Sequence, residues 1–389
     1  MKVLFVTSST TTHGGGSKSF LQMLLGLVSY GIDPLVIFPD NQGLFQVLQQ
    51  RGIACIATRH PYRMSVYPNV RTLKDALLFI PKLTYRFIIN NISTIQLLKI
   101  AKQFRPDLIH SNVSVTAIGY YVARFYKLPH IWHIREYGDL DFDFHYYPSR
   151  SAQLKRYKQS RSHTICITKD IQRYNKLENW CHSHVIYNGI LSKESSLYNK
   201  IKKNYFLFAG RLEKAKGILP LIDAYAEYCK NVEEPIPLYL AGSGIAEYVK
   251  IIHEQITQHQ IDKHVIFLGM RDDILTLYKD AKALIVPSSS EGFGRITAEA
   301  MFVGCLVIGK NAAGTKEQFD NGKEMLGEEI GLRYNNKEQL VQQLIYVTKN
   351  SLESIEPIIL RGQQVAIQLY ATEHNVAHVY NLYKQIVSK

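Results

Sequence analysis

Short apolar runs of strand length recur along this chain with helix-patterned stretches between them, in two successive sets. The first set covers residues 2–6, 34–38, 107–110, 130–134, 163–167 and 184–187; the second covers 205–209, 237–241, 265–268, 283–287 and 305–308. Strands alternating with helices predict an open parallel sheet with helices on both faces. The second set is almost continuously apolar, as strands buried on both faces must be. A chain of 389 residues is too long for one hydrophobic core. The expectation is therefore an α/β protein with two doubly wound Rossmann-like domains, at residues 1–188 and 205–370. Asn188-Gly189 and the polar stretch after it lack apolar periodicity, so 189–204 reads as a linker. Val376, Val379, Tyr380, Tyr383, Ile386 and Val387 recur at three- and four-residue spacing and describe an amphipathic closing helix at about 371–389.

Charge is spread less evenly. Forty-six Lys plus Arg against 33 Asp plus Glu give a formal net charge of +13. Residues 1–188 hold 23 basic and 10 acidic side chains and residues 189–389 hold 23 of each, so the whole excess lies in the first half. With 46% hydrophobic and 20% charged residues, the composition is globular and excludes disordered and collagen-like classes. Cys55, Cys166, Cys181, Cys229 and Cys305 are far apart, odd in number and without a C-x-x-C pair, which argues for reduced thiols in a cytosolic compartment. The opening apolar run is too short for a secretion signal and reads as a first buried strand. No window reaches the ~18 to 20 unbroken apolar residues of a spanning helix, so a soluble or surface-bound protein is expected.

The most informative stretch is Pro287-Ser288-Ser289-Ser290-Glu291-Gly292-Phe293-Gly294-Arg295-Ile296-Thr297-Ala298-Glu299-Ala300-Met301. It follows a strand and enters a helix, at the sheet end where open α/β folds bind ligands. Gly292 and Gly294, flanking Phe293 and followed by Arg295, let backbone approach a phosphate, and free amides at the helix start add donors and partial positive charge. Glu299 lies about one turn into that helix and leans back towards its start, where a carboxylate suits the vicinal hydroxyls of a ribose. Phe208-Ala209-Gly210-Arg211-Leu212-Glu213-Lys214-Ala215-Lys216-Gly217 is again strand, turn and helix start. Arg211 offers a planar fork and Lys216 a point charge, a clamp for a diphosphate that takes the place of a metal ion. Gly242 in Ala241-Gly242-Ser243-Gly244 marks a third strand-end turn, weak evidence alone.

Taken together, these runs resemble the retaining glycosyltransferases of family 4, which have the GT-B fold. The resemblance rests on G-R-L-x-x-x-K-G at Gly210 to Gly217, E-G-F-G with Glu291 and Glu299 eight positions apart, the turn Gly14-Gly15-Gly16, and V-I-Y-N-G-I before the linker. It implies two domains facing each other across a cleft, with the closing helix packing back on the first. It assigns Glu299 to the nucleotide ribose, Arg211 and Lys216 to the diphosphate, Glu291 to the donor sugar, and Gly14, Gly15 and Gly16 to the phosphates. His133, in His130-Ile131-Trp132-His133-Ile134-Arg135-Glu136, takes the role of a histidine facing the donor sugar. Arg295-Ile296-Thr297-Ala298 departs from the Leu-Pro and apolar pair of many members, which bears on donor identity rather than fold. The implied reaction retains anomeric configuration, with Glu291 either nucleophile or polar anchor and the anchor preferred. UDP is the first expected base, GDP the next, and no cofactor or metal is expected.

Each residue also has a structural reading. Gly14 to Gly16 could be a simple turn, Arg211 and Lys216 solvated charges, and Glu291 and Glu299 a loop acid and a helix-end charge; their joint occurrence weighs against this. Asp139-Leu140-Asp141-Phe142-Asp143 imitates a D-x-D metal motif but sits in an acid-rich loop without the matching single-domain layout. Cys181, His182 and His184 lack a second pair at zinc-ligand spacing and read as a surface loop. From Arg59 to Arg105 nine basic residues and one acid, Asp75, are mixed with apolar runs, and Arg150 to Arg161 is a second basic run without acids. That mixture fits docking on an anionic membrane, which implies a cytoplasmic enzyme on the inner face of the cell membrane acting on a lipid-linked or glycan acceptor. The rivals are a nucleotide-sugar epimerase of the same fold and a basic nucleic-acid-binding protein, the latter without a recognised module.

Overall fold

The computed structural model describes residues 1–8, 10–12, 14–70 and 72–388. It divides into two compact units, Met1–Gly189 with Thr372–Lys389, and Ile190–Ala371.

In unit 1 the strands are β1 (Lys2–Val6), β2 (Asp33–Phe38), β3 (Ala54–Ala57), β4 (Leu108–Ser111), β5 (His130–Ile134), β6 (Ser162–Cys166) and β7 (Ser183–Val185). They pair in parallel in the order β3-β2-β1-β4-β5-β6-β7. Side chains alternate across this sheet: Val3 and Phe5 enter one core layer, Leu4 and Val6 the other. The closing helix Thr372–Val387 supplies Val376, Val379, Leu382, Tyr383 and Ile386 to the first layer. Helix α1 (Gly15–Ser29) follows β1; α2 (Leu73–Leu77) and the 26-residue α3 (Phe79–Phe104) precede β4.

Unit 2 contains β8 (Phe206–Ala209), β9 (Leu238–Ala241), β10 (Val265–Gly269), β11 (Ala283–Val286), β12 (Val307–Lys310) and β13 (Leu332–Tyr334), parallel in the order β10-β9-β8-β11-β12-β13. Helices α4 (Ile218–Lys230), α5 (Arg295–Phe302) and α6 (Ala313–Leu326) follow β8, β11 and β12. Residues 190–204 are fastened to this unit. Lys202 Nζ donates to the carbonyls of Lys279 at 2.7 Å and Gly304 at 2.6 Å, and the Tyr198 hydroxyl donates to Glu356 at 2.9 Å.

Two strands lie outside the apolar runs. Ala54–Ala57 and Leu332–Tyr334 are short, half-exposed edges of their sheets, so they need no continuous apolar sequence. The last apolar run of the second set is also displaced: the strand runs Val307–Lys310, because Gly304 at φ 67° ends α5 and Cys305-Leu306 lead into the sheet.

Candidate active site

Both sheets reverse their strand order once, between β1 and β4 in unit 1 and between β8 and β11 in unit 2. Loops leaving strands on either side of such a point leave a crevice at the carboxyl ends. In unit 2 these loops are Gly210 to Gly217 and Pro287 to Gly294. They are joined by Lys216 Nζ, 2.7 Å from Glu291 Oε1, with both side chains mostly buried at 20% and 13% exposure. Ser288 Oγ donates to the same carboxylate oxygen at 3.0 Å. A carboxylate held by an ammonium and a hydroxyl has a fixed position, which a group oriented towards a sugar requires. Arg211 is not part of this pair; its guanidinium is exposed and lies 2.9 Å from Glu213 Oε1.

The turns crowd backbone against backbone. Gly242 sits at φ 147°, and a Cβ there would lie 1.8 Å from the Gly210 carbonyl oxygen. The amino ends of α5 and α6 meet in the same way, since a Cβ on Gly314 would lie 2.3 Å from the Phe293 carbonyl carbon. Gly314 N donates to Glu291 O at 2.9 Å, tying α6 to the loop that carries the acid. Neither helix has a side-chain cap at its start, and Ala313 adopts φ 47°, a strained angle for a residue with a Cβ. Gln318, buried on α6, donates through Nε2 to Phe293 O and Gly294 O, while its Oε1 meets no partner among the described residues. On α5, Glu299 Oε1 accepts from Arg295 Nε at 2.7 Å, and Arg295 also donates to Ile190 O at 3.1 Å. The residue that departs from the family pattern thus holds the acid assigned to the ribose.

In unit 1, Gly14 caps α1 without a side-chain hydrogen bond, and Gly15 and Gly16 form its first turn. A Cβ on Gly16 would lie 3.9 Å from Arg135 Cδ. Arg135 follows β5 directly and is held by the ends of two other strands, donating to Asn112 at 3.1 Å and Asn188 at 2.6 Å. His133 lies one turn of the pleat below it and is wholly buried. Its Nδ1 is 3.3 Å from an Arg135 NH2 and 3.1 Å from His110 Nε2, and His110 Nδ1 meets the Tyr383 hydroxyl of the closing helix. Arg135 can only donate, so His133 Nδ1 accepts and carries no proton. His110 therefore donates from Nε2 and accepts from Tyr383, and both rings are neutral. Burial and the nearby Arg135 charge hold both histidines well below their usual pKa, and burial raises that of Tyr383.

Two family profiles match: the one described as Glycosyltransferase Family 4 over residues 13–192, and the one described as Glycosyl transferases group 1 over residues 193–364. The chain belongs to the family 4 glycosyltransferases. Among similar proteins, an uncharacterized glycosyltransferase of Methanocaldococcus jannaschii is 25% identical over 72% of this chain and 76% of its own length. UDP-Gal:alpha-D-GlcNAc-diphosphoundecaprenol alpha-1,3-galactosyltransferase of Escherichia coli is 25% identical over 68% and 72%. HepE of Anabaena, solved with UDP, superposes at a TM-score of 0.77 and 19% identity over 99% of this chain and all of its own. The chain is thus an enzyme of the hexosyltransferase class on the GT-B plan, and these matches give no support to an epimerase.

The structure gives this glycosyltransferase's other candidates structural work. Asp141 accepts the backbone amides of Tyr137 at 3.0 Å and Gly138 at 2.8 Å, and Asp139 pairs with Arg150 at 2.7 Å, so the D-x-D imitation is a capped turn. His184 belongs to the edge strand β7, and His182 to the turn just before it. Their rings stack with His163, at centroid distances of 4.4 and 6.1 Å, because His163 and His182 each stand one residue before the paired Thr164 and Ser183 of neighbouring strands. They line a cavity of about 400 Å³ with Arg161 and Cys181, at the amino ends of β6 and β7 and so away from the loops described above. The residues that sequence reasoning missed are Arg135, Asn112, Asn188, Ser288, Gly314 and Gln318. Polar residues placed just after strands were the available signal for the three in unit 1.

Proposed function

We propose that this enzyme transfers a sugar, with retention of configuration and without a metal, from a UDP-sugar to a lipid-linked or glycan acceptor at the inner face of the cell membrane. Its setting would be polysaccharide or glycolipid biosynthesis. The observation that carries this reading is the Lys216–Glu291 pair set beside two uncapped helix starts. Negative charge grows on the leaving diphosphate as the glycosidic bond breaks, and Lys216, Arg211 and the amides of α5 stand where that charge develops. Glu291 anchors the sugar hydroxyls and Glu299 the ribose, with Arg295 orienting it. The leaving phosphate oxygen takes the acceptor proton on the face where the new bond forms. UDP is favoured by the UDP-Gal donor in the name of the Escherichia coli relative and by HepE, solved with UDP and with UDP-glucose.

Two substitutions test it. Glu299→Ala should weaken UDP binding, read by calorimetry, about tenfold or more through loss of charge-assisted ribose hydrogen bonds. Glu291→Gln should leave UDP affinity nearly unchanged and lower turnover about 100-fold. Wild-type protein that binds no uridine or guanosine diphosphate sugar would sink the reading.

A further inference from the structure

The amino half of the α2–α3 segment is apolar where it faces solvent. Leu73 is 80% exposed, Leu77 74%, Ile80 65% and Phe87 58%, and Leu78, Tyr85, Ile88, Ile92 and Ile95 are also exposed. None of the described residues from Thr72 to Ile88 is buried. Along α3, the outward positions Ile80, Phe87 and Ile88, Ile92, Ile95 follow helical spacing, so they share one face. Ile89, Ser93, Leu97 and Ala101, four residues apart, form the buried face on the other side. Exposed apolar residues elsewhere, such as Leu197 and Ile245, stand singly and need no explanation.

Charge identifies what covers this stripe. From Ala76 to Arg105 there is no Asp or Glu. The acid just before it, Asp75, is neutralised by Lys82 at 2.8 Å and sits under Thr72 as a helix-start contact. Arg86 turns inward to donate to Val66 O at 2.6 Å. The exposed cations Arg63, Lys74, Lys99, Lys102 and Arg105 are left around the stripe. An apolar helix face flanked by cations, with no acid to repel an anionic surface, matches the boundary between lipid headgroups and acyl chains. Among the described residues no helix is long and apolar enough to cross a membrane, so contact of this kind lies in the plane of the surface.

We infer that α2 and the first five turns of α3 form a wedge that seats unit 1 on an anionic lipid bilayer, with Leu73, Leu77, Ile80, Phe87 and Ile88 entering the acyl boundary. This deepens the membrane element of the proposed function and rests on it for its purpose, but not for its measurement. Full-length protein is sedimented with vesicles of phosphatidylcholine alone and mixed with phosphatidylglycerol. Wild type should partition onto the mixed vesicles and far less onto the neutral ones. The double variant Ile80→Glu/Phe87→Glu should lose about tenfold or more of that partitioning. Lys74→Gln/Lys99→Gln/Lys102→Gln should flatten its salt dependence. Leu197→Glu, in unit 2, should partition like wild type, and UDP affinity and melting temperature should be unchanged in all three variants. The proposal is overturned if Ile80→Glu/Phe87→Glu sediments like wild type, or if neutral and anionic vesicles bind equally. It is also overturned if wild type ignores both and instead forms a dimer that this double variant dissociates. Failure to bind UDP would sink the donor reading and leave the vesicle result standing.

Discussion

At the carboxyl edge of the second sheet the chain brings backbone against backbone; at the edge of the first it packs neutral rings beneath one guanidinium. In unit 2, Gly242 against Gly210 and Gly314 against Phe293 leave no room for side chains, and the charges come as the pairs Lys216–Glu291 and Arg295–Glu299. In unit 1, Tyr383, His110 and His133 form a buried polar chain, and Arg135 stands at its end, held by Asn112 and Asn188. Formal charge runs the other way, since the +13 excess lies in residues 1–188. A diphosphate cradle depends on where a few cations and amides are fixed, and net charge reports the outer surface instead.

The largest expected effect falls on the crowded edge. Gly242→Ala places a methyl group 1.8 Å from a carbonyl oxygen that no side-chain movement can clear. It should cost about 4 kcal/mol or more, a fall of roughly 10 °C in the melting temperature of a unit of this size. Gly31→Ala in unit 1, at φ 80° with nothing within 4 Å, should cost only about 1 to 2 kcal/mol. Equal losses in thermal melts would mean that backbone crowding does not distinguish the two edges.

Acid should act on the other unit. His110, His130 and His133 are buried, and burial is the main reason their pKa values fall, that of His130 to about 3. Below about pH 6.5 the unfolded chain takes up protons that the folded rings refuse, so stability drops as pH falls, by about 1.4 kcal/mol per pH unit for each histidine. Glu136 opposes this in part, because burial raises its pKa and lower pH relieves its charge. Among the described residues no unit 2 histidine is buried. Both tryptophans, Trp132 and Trp180, lie in unit 1. Their fluorescence should therefore report melting well below its neutral temperature at pH 5.5, while the transition of unit 2 shifts less. A larger acid shift in unit 2 would contradict this.

The same contrast sets what could be read without coordinates. Central strands were legible because they are covered on both faces; Ala54–Ala57 and Leu332–Tyr334 were not, since edge strands carry mixed residues. The turns of the unit 2 edge left a sequence trace because close approach or a left-handed angle demands glycine there, as at Gly242 and Gly294. The unit 1 edge was harder. His133 and Arg135 point to the same side of β5, and which of them reaches the edge depends on where the strand stops. That end is set by pairing of Ile134 with Cys166, a contact between residues 32 positions apart. Tyr383 was assigned to a helix face by its spacing, and its partner His110 lies 273 residues away.

The smallest expected effect isolates that long-range chain. Tyr383→Phe keeps the ring and removes the hydroxyl, leaving His110 Nδ1 a buried acceptor without a donor, at a cost of about 1 to 3 kcal/mol. His110 gains nothing by moving its proton to Nδ1, which would then face a ring without an acceptor and give up the bond from Nε2 to His133, so the ring is held from one side only. The guanidinium that reaches the edge should be held less firmly. Turnover should therefore fall severalfold while UDP affinity, which the proposed function assigns to unit 2, stays within error. Tyr370→Phe serves as the comparison in unit 2, where the hydroxyl accepts from Asn321 at 3.1 Å. It should cost similar stability and leave turnover alone. If Tyr383→Phe changes melting but not turnover, the polar chain is packing only, and Arg135 is positioned by Asn112 and Asn188 without it.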